Sequence, residues 1–285
     1  MVVLAFALSA AFFVGLTNVL IRKGLDSTSR SQAILVSLIT SVGIFWILNI
    51  AMDKLSLLLV PAAALFLFVG LLGPGVGRTF NIISLKRIGV SRTVPITGTA
   101  PFFATILAIL LLGEEYSFYI FAGMALIIFG IFVLTRRKEN GLRVFDKKDL
   151  LIPLASAFFG GSSMTVTKRA LSALEDPLLG AGIALTAALL VVSIYIVATG
   201  RARQLNFTRG EITFPVLAGC STAAAFFLNF TALQIGEVSV VAPIFSAFPL
   251  FGVFLSHFFL KEQITGRTWL GAAIIVLGIA VIQVL

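Results

Sequence analysis

The chain has 285 residues, of which 59% are hydrophobic and only 12% charged, with a mean hydropathy of +1.10. A soluble domain carries about 25% charged residues, so this composition excludes a water-covered fold and points to the bilayer. The net charge of +9 would suit a nucleic-acid binder, but the basic residues fall between apolar runs; they read as loop charges that set membrane orientation, with lipid and not nucleic acid as the partner.

Apolar runs of about 20 residues, long enough to cross a bilayer, recur along the chain. The first, residues 2–21, lacks a basic leading region and a small-residue cleavage pattern, and is expected to be a retained helix and not a signal peptide. Runs at 32–52 and 57–85 follow. The second of these exceeds what a straight span needs at 1.5 Å per residue. Gly73, Pro74, Gly75 and Gly77 predict a kink or break within it. Runs at 91–112 and 117–135 precede the most polar link, which holds Arg136, Arg137, Lys138, Glu139, Asn140, Gly141, Arg143, Lys147 and Lys148. Beyond it lie runs at 149–168, 178–199, 212–234, 238–260 and 268–284. The expectation is an all-α, multi-pass membrane protein of ten transmembrane helices, divided into five-helix halves at 1–140 and 141–285.

An internal repeat supports the division. Pro95, Pro101, Glu114, Gly123 and Gly130 recur as Pro243, Pro249, Glu262, Gly271 and Gly278, each 148 residues later. Asn81 with Asn229, Leu85 with Leu233 and Ser91 with Ser239 keep the same offset. The first helices match at a slightly different one, Phe12-Phe13-x-Gly15 against Phe158-Phe159-x-Gly161. An odd number of spans per half means that the second copy enters from the opposite side, so the repeats are inverted. Inverted repeats are a recurrent plan for secondary transporters.

The stretch Asn229-Phe230-Thr231-Ala232-Leu233, followed by Pro243, Leu260-Lys261-Glu262-Gln263-Ile264-Thr265, Gly271 and Gly278, resembles the EamA repeat of the drug/metabolite transporter superfamily. Leu112-Gly113-Glu114-Glu115 with Gly123 and Gly130 is the matching copy. The resemblance covers nearly the whole chain. It implies ten helices around a central cavity, and it leaves the substrate open, because relatives handle amino acids, nucleotide sugars, drugs and lipid-linked sugars.

Several residues are candidates for the chemistry. Arg78 lies inside the third span, where a charge costs a few kcal/mol on insertion scales. Pro74, Arg78 and Asn81 share one helix face, and the repeat mate of Arg78 is Phe226. Two readings stand: a bidentate ligand for a carboxylate or phosphate, or a side chain snorkelling toward the Lys86 end. Asn81 and Asn229 either bind a ligand or join helices. Asn18, Thr17, Ser163 and Thr167 are polar points on the first and sixth helices, and such hydroxyls also bond back to the i−4 carbonyl. Pro95, Pro101, Pro243 and Pro249 read as hinges or cavity lining, or else as fixed kinks; Thr99 and Ser246 lie beside them and complete the candidate substrate-binding set. Glu114 and Glu262 end the fourth and ninth helices, as turn motifs or, more boldly, as proton-coupling groups.

No carboxylate lies mid-span, which argues against efflux of cations by proton exchange. Single residues Cys220 and His257 build neither a disulfide nor a metal centre, and no cofactor is expected. Cys220 reads as a packed small residue and His257 as an interfacial one. No phosphate-binding loop of the G-x-x-x-x-G-K-[ST] type occurs. No cluster of paired acids, metal ligands or nucleophile with base supports an enzyme. The leading reading is a secondary transporter for a small anionic or zwitterionic metabolite, amino acids and other carboxylates first, acting in the cell membrane as a monomer or homodimer. Alternatives are a carrier or flippase of sugar-linked or drug-like molecules, or an intramembrane enzyme or scaffold.

Lysine and arginine divide unequally between the two membrane sides. Arg22, Lys23, Arg30, Lys86, Arg87, Arg92, the 136–148 cluster, Arg201, Arg203, Arg209, Lys261 and Arg267 fall on one; Lys54, Lys168 and Arg169 fall on the other. Basic loops stay in the cytoplasm, which puts both termini outside. Many ten-helix relatives are described with termini inside, so the charges and the resemblance disagree, and the charges are followed here. A reporter fused after Leu285 is therefore expected to be active as an external reporter and silent as a cytoplasmic one; the reverse pattern rejects the orientation.

Overall fold

The computed structural model describes residues 1–25, 28–115, 117–135, 146–205, 212–261 and 265–283, and among them it contains helices and turns but no strand. The helices are α1 (Val2–Gly24), α2 (Arg30–Ala51), α3 (Ala63–Gly70), α4 (Arg78–Ile88), α5 (Val90–Thr97), α6 (Ala100–Leu112), α7 (Phe118–Thr135), α8 (Leu151–Ala173), α9 (Pro177–Ala198), α10 (Thr213–Ile235), α11 (Val238–Phe245), α12 (Phe248–Leu260) and α13 (Gly266–Ile282). Pairs α3–α4, α5–α6 and α11–α12 each make one span. Nine of the described stretches are at least 18 residues long and apolar enough to cross a membrane. The shorter α13, with 17 residues, supplies the tenth. The ten-span expectation therefore holds.

Three local expectations change. The long third run starts its span at Ala63, because Leu55–Leu59 form a separate 3-10 helix. The kink expected at Gly73–Gly77 is a π-helical turn over Leu71–Gly77, with no break. Pro74 has no N–H, so the bonding slips by one residue, and the Arg78 N–H reaches the Gly73 carbonyl five residues back. Finally, the fourth and ninth spans are each interrupted, at Gly98–Thr99 and at Ser246–Ala247. Pro95 and Pro243 lie inside the first half-helices. Pro101 and Pro249 sit in the opening positions of α6 and α12, where the missing N–H costs no helical bond. These two start helices; they do not break a ladder.

The largest helix contacts join the two halves of the chain. Helix α1 packs on α10 and α12, α2 on α9 and α10, α8 on α6 and the α3–α4 span, and α7 on α13. Small residues allow this close approach, since hydrocarbon gives helices no hydrophobic reason to associate. The α7–α13 crossing shows the symmetry. A Cβ added to Gly130 would lie 2.9 Å from the Gly271 carbonyl oxygen, and one added to Gly271 would lie 2.9 Å from that of Gly130. Gly123 and Gly278 meet in the same way, at 2.6 and 2.7 Å. Each glycine thus faces the repeat mate of the other glycine on its own helix, and the two helices run antiparallel. A local two-fold axis passes between them, as inverted copies require. Elsewhere Gly15 nests on the Phe248 carbonyl and Gly252 N–H of α12, while Gly161 nests on the Ala100 carbonyl and Ala104 N–H of α6. Those are equivalent contacts in the two halves. Leu110, Phe129, Leu190, Ile194 and Val276 face outward, exposed, as a lipid-facing surface requires.

Gly130→Val places a branched side chain against the α13 backbone and is expected to lower unfolding free energy by about 1–3 kcal/mol, the usual cost of overpacking. Gly43→Ala, where an added Cβ meets open space, serves as the neutral control. Thermal unfolding in matched nanodiscs measures both, and equal stability of the two variants would count against the crossing.

Candidate functional site

The π-turn delivers Arg78. Its backbone is fastened to α8 by two serines seven residues apart: Ser156 Oγ donates to the Gly77 carbonyl at 2.8 Å, and Ser163 Oγ to the Val69 carbonyl at 3.1 Å. Gly73 faces Ser163 so closely that a Cβ there would collide with it, and Gly77 faces Gly160. With one side of the turn fixed on α8, Arg78 emerges as the first residue of α4. It is partly exposed, and its guanidinium has no hydrogen-bond or ion-pair partner among the described residues. The sequence expectation named Ser163 as a substrate ligand; its hydroxyl is buried and occupied in holding the turn.

Arg78, Ile82 and Lys86 follow at four-residue spacing and form one stripe of α4. The lower part of the stripe lines a cavity of about 270 Å³ with Arg30, Ser31 and Ile34 of α2, Val192, Tyr195 and Ile196 of α9, and Arg201. A second, smaller cavity of about 180 Å³ lies between α1 and α12, lined by Asn18, Arg22, Pro249, Gly252 and Ser256 among others. Asn18, a predicted site residue, lines this crevice. Asn81 is partly exposed on α4. Its repeat mate Asn229 is buried on α10, and its Oδ1 has no hydrogen-bond partner, which is costly unless a ligand or water supplies one. Thr99 and Ser246 mark the two interrupted spans and bond locally, Thr99 Oγ1 to the Ile96 carbonyl at 2.7 Å and Ser246 Oγ to that of Pro243 at 2.6 Å. Thr17 joins a buried hydroxyl cluster with Thr222, which also meets Ser37, across α1, α10 and α2. Thr167 bonds back to the Ser163 carbonyl at 2.7 Å.

The opposite end of the bundle is tied by charge. Glu114 is an inter-half helix cap: its two carboxylate oxygens accept from the Val238 and Ser239 N–H groups at 2.7 and 2.9 Å, at the start of α11. A carboxylate there also meets the positive end of the helix dipole. Lys168 Nζ donates to the Gln234 and Gly236 carbonyls at 3.2 and 2.9 Å, at the end of α10. Lys54 pairs with Asp176 at 2.6 Å, and the same Asp176 caps α9 through the Leu179 N–H. None of these contacts was read from the sequence. The spacing of Glu114 from a helix start 124 residues away carries no local signal. Glu262, the repeat mate of Glu114, and the basic link at 136–145 lie outside the described residues. Cys220 is exposed on α10, which corrects the expectation of a packed residue, and His257 is exposed in the last turn of α12. No group of three or more His, Cys, Asp or Glu that could hold a metal ion occurs among the described residues.

Comparison with known proteins agrees with this geometry. A family model described as the EamA-like transporter family matches residues 1–136 and 147–284. A curated protein of Archaeoglobus fulgidus, described as an uncharacterized transporter, is 26% identical over 204 residues, which are 72% of this chain and 70% of that one. A solved structure titled only as the crystal structure of a protein superposes with a TM-score of 0.82 at 17% identity, covering 99% of this chain and 96% of its own. That likeness speaks for the fold alone, while the two names point to transport and away from catalysis.

Glu114→Ala removes both acceptors from the start of α11. The expected loss is about 1–3 kcal/mol of unfolding free energy, as for a charged cap left without its partner. Thermal unfolding checks it, and an unchanged midpoint would show that the cap is inert.

Proposed function

Since the chain belongs to the EamA-like transporter family, we propose that it is a secondary transporter of the cell membrane that moves a small carboxylate or zwitterion, an amino acid first, by alternating access. The observation that carries this reading is Arg78. A guanidinium inside a span, without a protein partner among the described residues, is expensive to keep there. A negatively charged group entering beside it recovers that cost through a bidentate, charge-assisted pair. The fixed π-turn holds the backbone of Arg78 still, so less freedom is lost when the anion binds. Asn229, with a buried and unsatisfied Oδ1, supports a second polar contact, one that accepts a hydrogen bond from an ammonium or hydroxyl.

Alternating access is supported by the difference between the two ends. The Lys/Arg-rich end has the larger of the two cavities described above, lined by Arg30, Lys86 and Arg201. The other end is closed by the Glu114 cap, the Lys168 contacts and the Lys54–Asp176 pair. We infer an inward-facing conformer, given basic loops in the cytoplasm. Because the halves are inverted copies, exchanging their conformations closes the inner end and opens the outer one. The interrupted spans α5–α6 and α11–α12 sit at equivalent places and offer the bends for that exchange.

Uptake into proteoliposomes by purified variants decides the reading. Arg78→Lys keeps the charge but loses the fork, and is expected to weaken carboxylate transport. Arg78→Gln is expected to reduce affinity about tenfold to a hundredfold, as for the loss of one charged hydrogen-bonded contact. Unchanged affinity in Arg78→Gln, with the protein still folded, would mean that the arginine only snorkels.

A further inference from the structure

We propose that the cavity enclosed by Arg30, Lys86 and Arg201 is a separate oxyanion-binding antechamber, where a phosphate or carboxylate group docks before or apart from Arg78. The inference rests on the reading that Arg78 binds an anion, because it supplies the step that precedes that contact. Three cationic side chains border one space of about 270 Å³, and no carboxylate is among its described lining residues. The helix ends modify this only in part. Helices α4 and α9 turn their negative ends toward it, each worth about half a charge, and α2 opposes them with its positive end. Among the described groups about two and a half positive charges remain in excess.

The floor is different in kind. Ile34, Ile82, Val192 and Ile196 are buried aliphatic residues, whereas Arg30 and Lys86 are exposed and Arg201 and Tyr195 partly so. A cationic rim over an apolar floor holds an oxyanion at the rim and keeps it from the floor, since burying an ion among aliphatic groups is costly. Arg201 is held for this role: one guanidinium nitrogen donates to Tyr195 Oη at 3.1 Å, and the guanidinium lies 5.1 Å from the Tyr195 ring centre. That contact uses one donor and leaves the rest of the fork available. Ile82 stands between Lys86 and Arg78 on the same stripe. Eight residues of helix put their Cα atoms roughly 12 Å apart. Lys86 lines the antechamber and Arg78 does not, so the two act in turn.

The same chemistry has two sources, a soluble oxyanion and the headgroup of an anionic lipid. The test therefore has two arms. In the first, the protein sits in nanodiscs of phosphatidylcholine alone, and its unfolding temperature is followed as inorganic phosphate replaces chloride at constant ionic strength. In the second, phosphate is absent and phosphatidylglycerol replaces part of the phosphatidylcholine. A saturable rise in unfolding temperature is expected in at least one arm, since a ligand bound only by the folded state stabilises it. A rise in the first arm identifies a soluble oxyanion; a rise confined to the second identifies a lipid headgroup. In Lys86→Gln and in Arg201→Gln the apparent affinity is expected to fall about tenfold. In Arg78→Gln the saturable rise is expected to persist, because the three rim cations are still present. No rise in either arm, or a rise that both rim variants retain in full, overturns the proposal. Transport by Arg78→Gln is scored separately, so failure of the substrate reading and failure of the antechamber give different patterns.

Discussion

Inside hydrocarbon no water is available to a backbone N–H or C=O group, so any departure from regular helix must be repaired by protein. Among its described residues this chain departs in three places within its spans, and each repair is specific. Pro74 shifts the hydrogen bonding into a π-turn, and Ser156 and Ser163 of α8 donate to carbonyls at its two ends. The gaps at Gly98–Thr99 and Ser246–Ala247 are bridged by short turns, with Thr99 and Ser246 hydroxyls adding donors. The repaired places are also where the candidate functional groups stand. A regular helix would turn Arg78 onto a different face.

The second consequence concerns how the halves meet. With no hydrophobic drive between helices in lipid, contact depends on shape, and glycine and alanine provide it. The glycine pairs of α7 and α13 bring two backbones together across the local two-fold axis, and Gly15 and Gly161 repeat one docking contact in both halves. Because the main contacts run between halves, neither half owns a complete core. The repeats are copies in sequence, but they pack as one body. Their equivalence is what would let a single protein adopt two related conformers.

Charge divides the bundle along its axis. At one end Arg30, Lys86 and Arg201 border an open cavity. At the other, four ionic groups are engaged: Glu114 and Asp176 cap helix starts, Lys168 caps a helix end, and Lys54 pairs with Asp176. The same residue types thus do opposite work. Cations facing space attract anions, whereas ions satisfied by helix ends close the structure. Arg78 lies between these ends and belongs to neither set.

The sequence by itself determined the class, the number of spans and the repeat. Those depend on hydropathy and on residue spacing along the chain, which are local or periodic properties. The shared face of Pro74, Arg78 and Asn81 was legible in the same way, and so was the need for an irregularity near Pro74. Tertiary structure alone decided the kind of irregularity, because a π-turn or a break differs only in which carbonyls a neighbouring helix can satisfy. It also placed Asn18 at a crevice between α1 and α12, gave Ser163 a structural task, and made Pro101 and Pro249 helix starts. The role of Glu114 depends on a helix start 124 residues away, and the rim of Arg30, Lys86 and Arg201 combines two helices with a turn beyond a third. Such partners are chosen by how helices cross, and helix crossings are set by contacts between distant segments that no local pattern encodes.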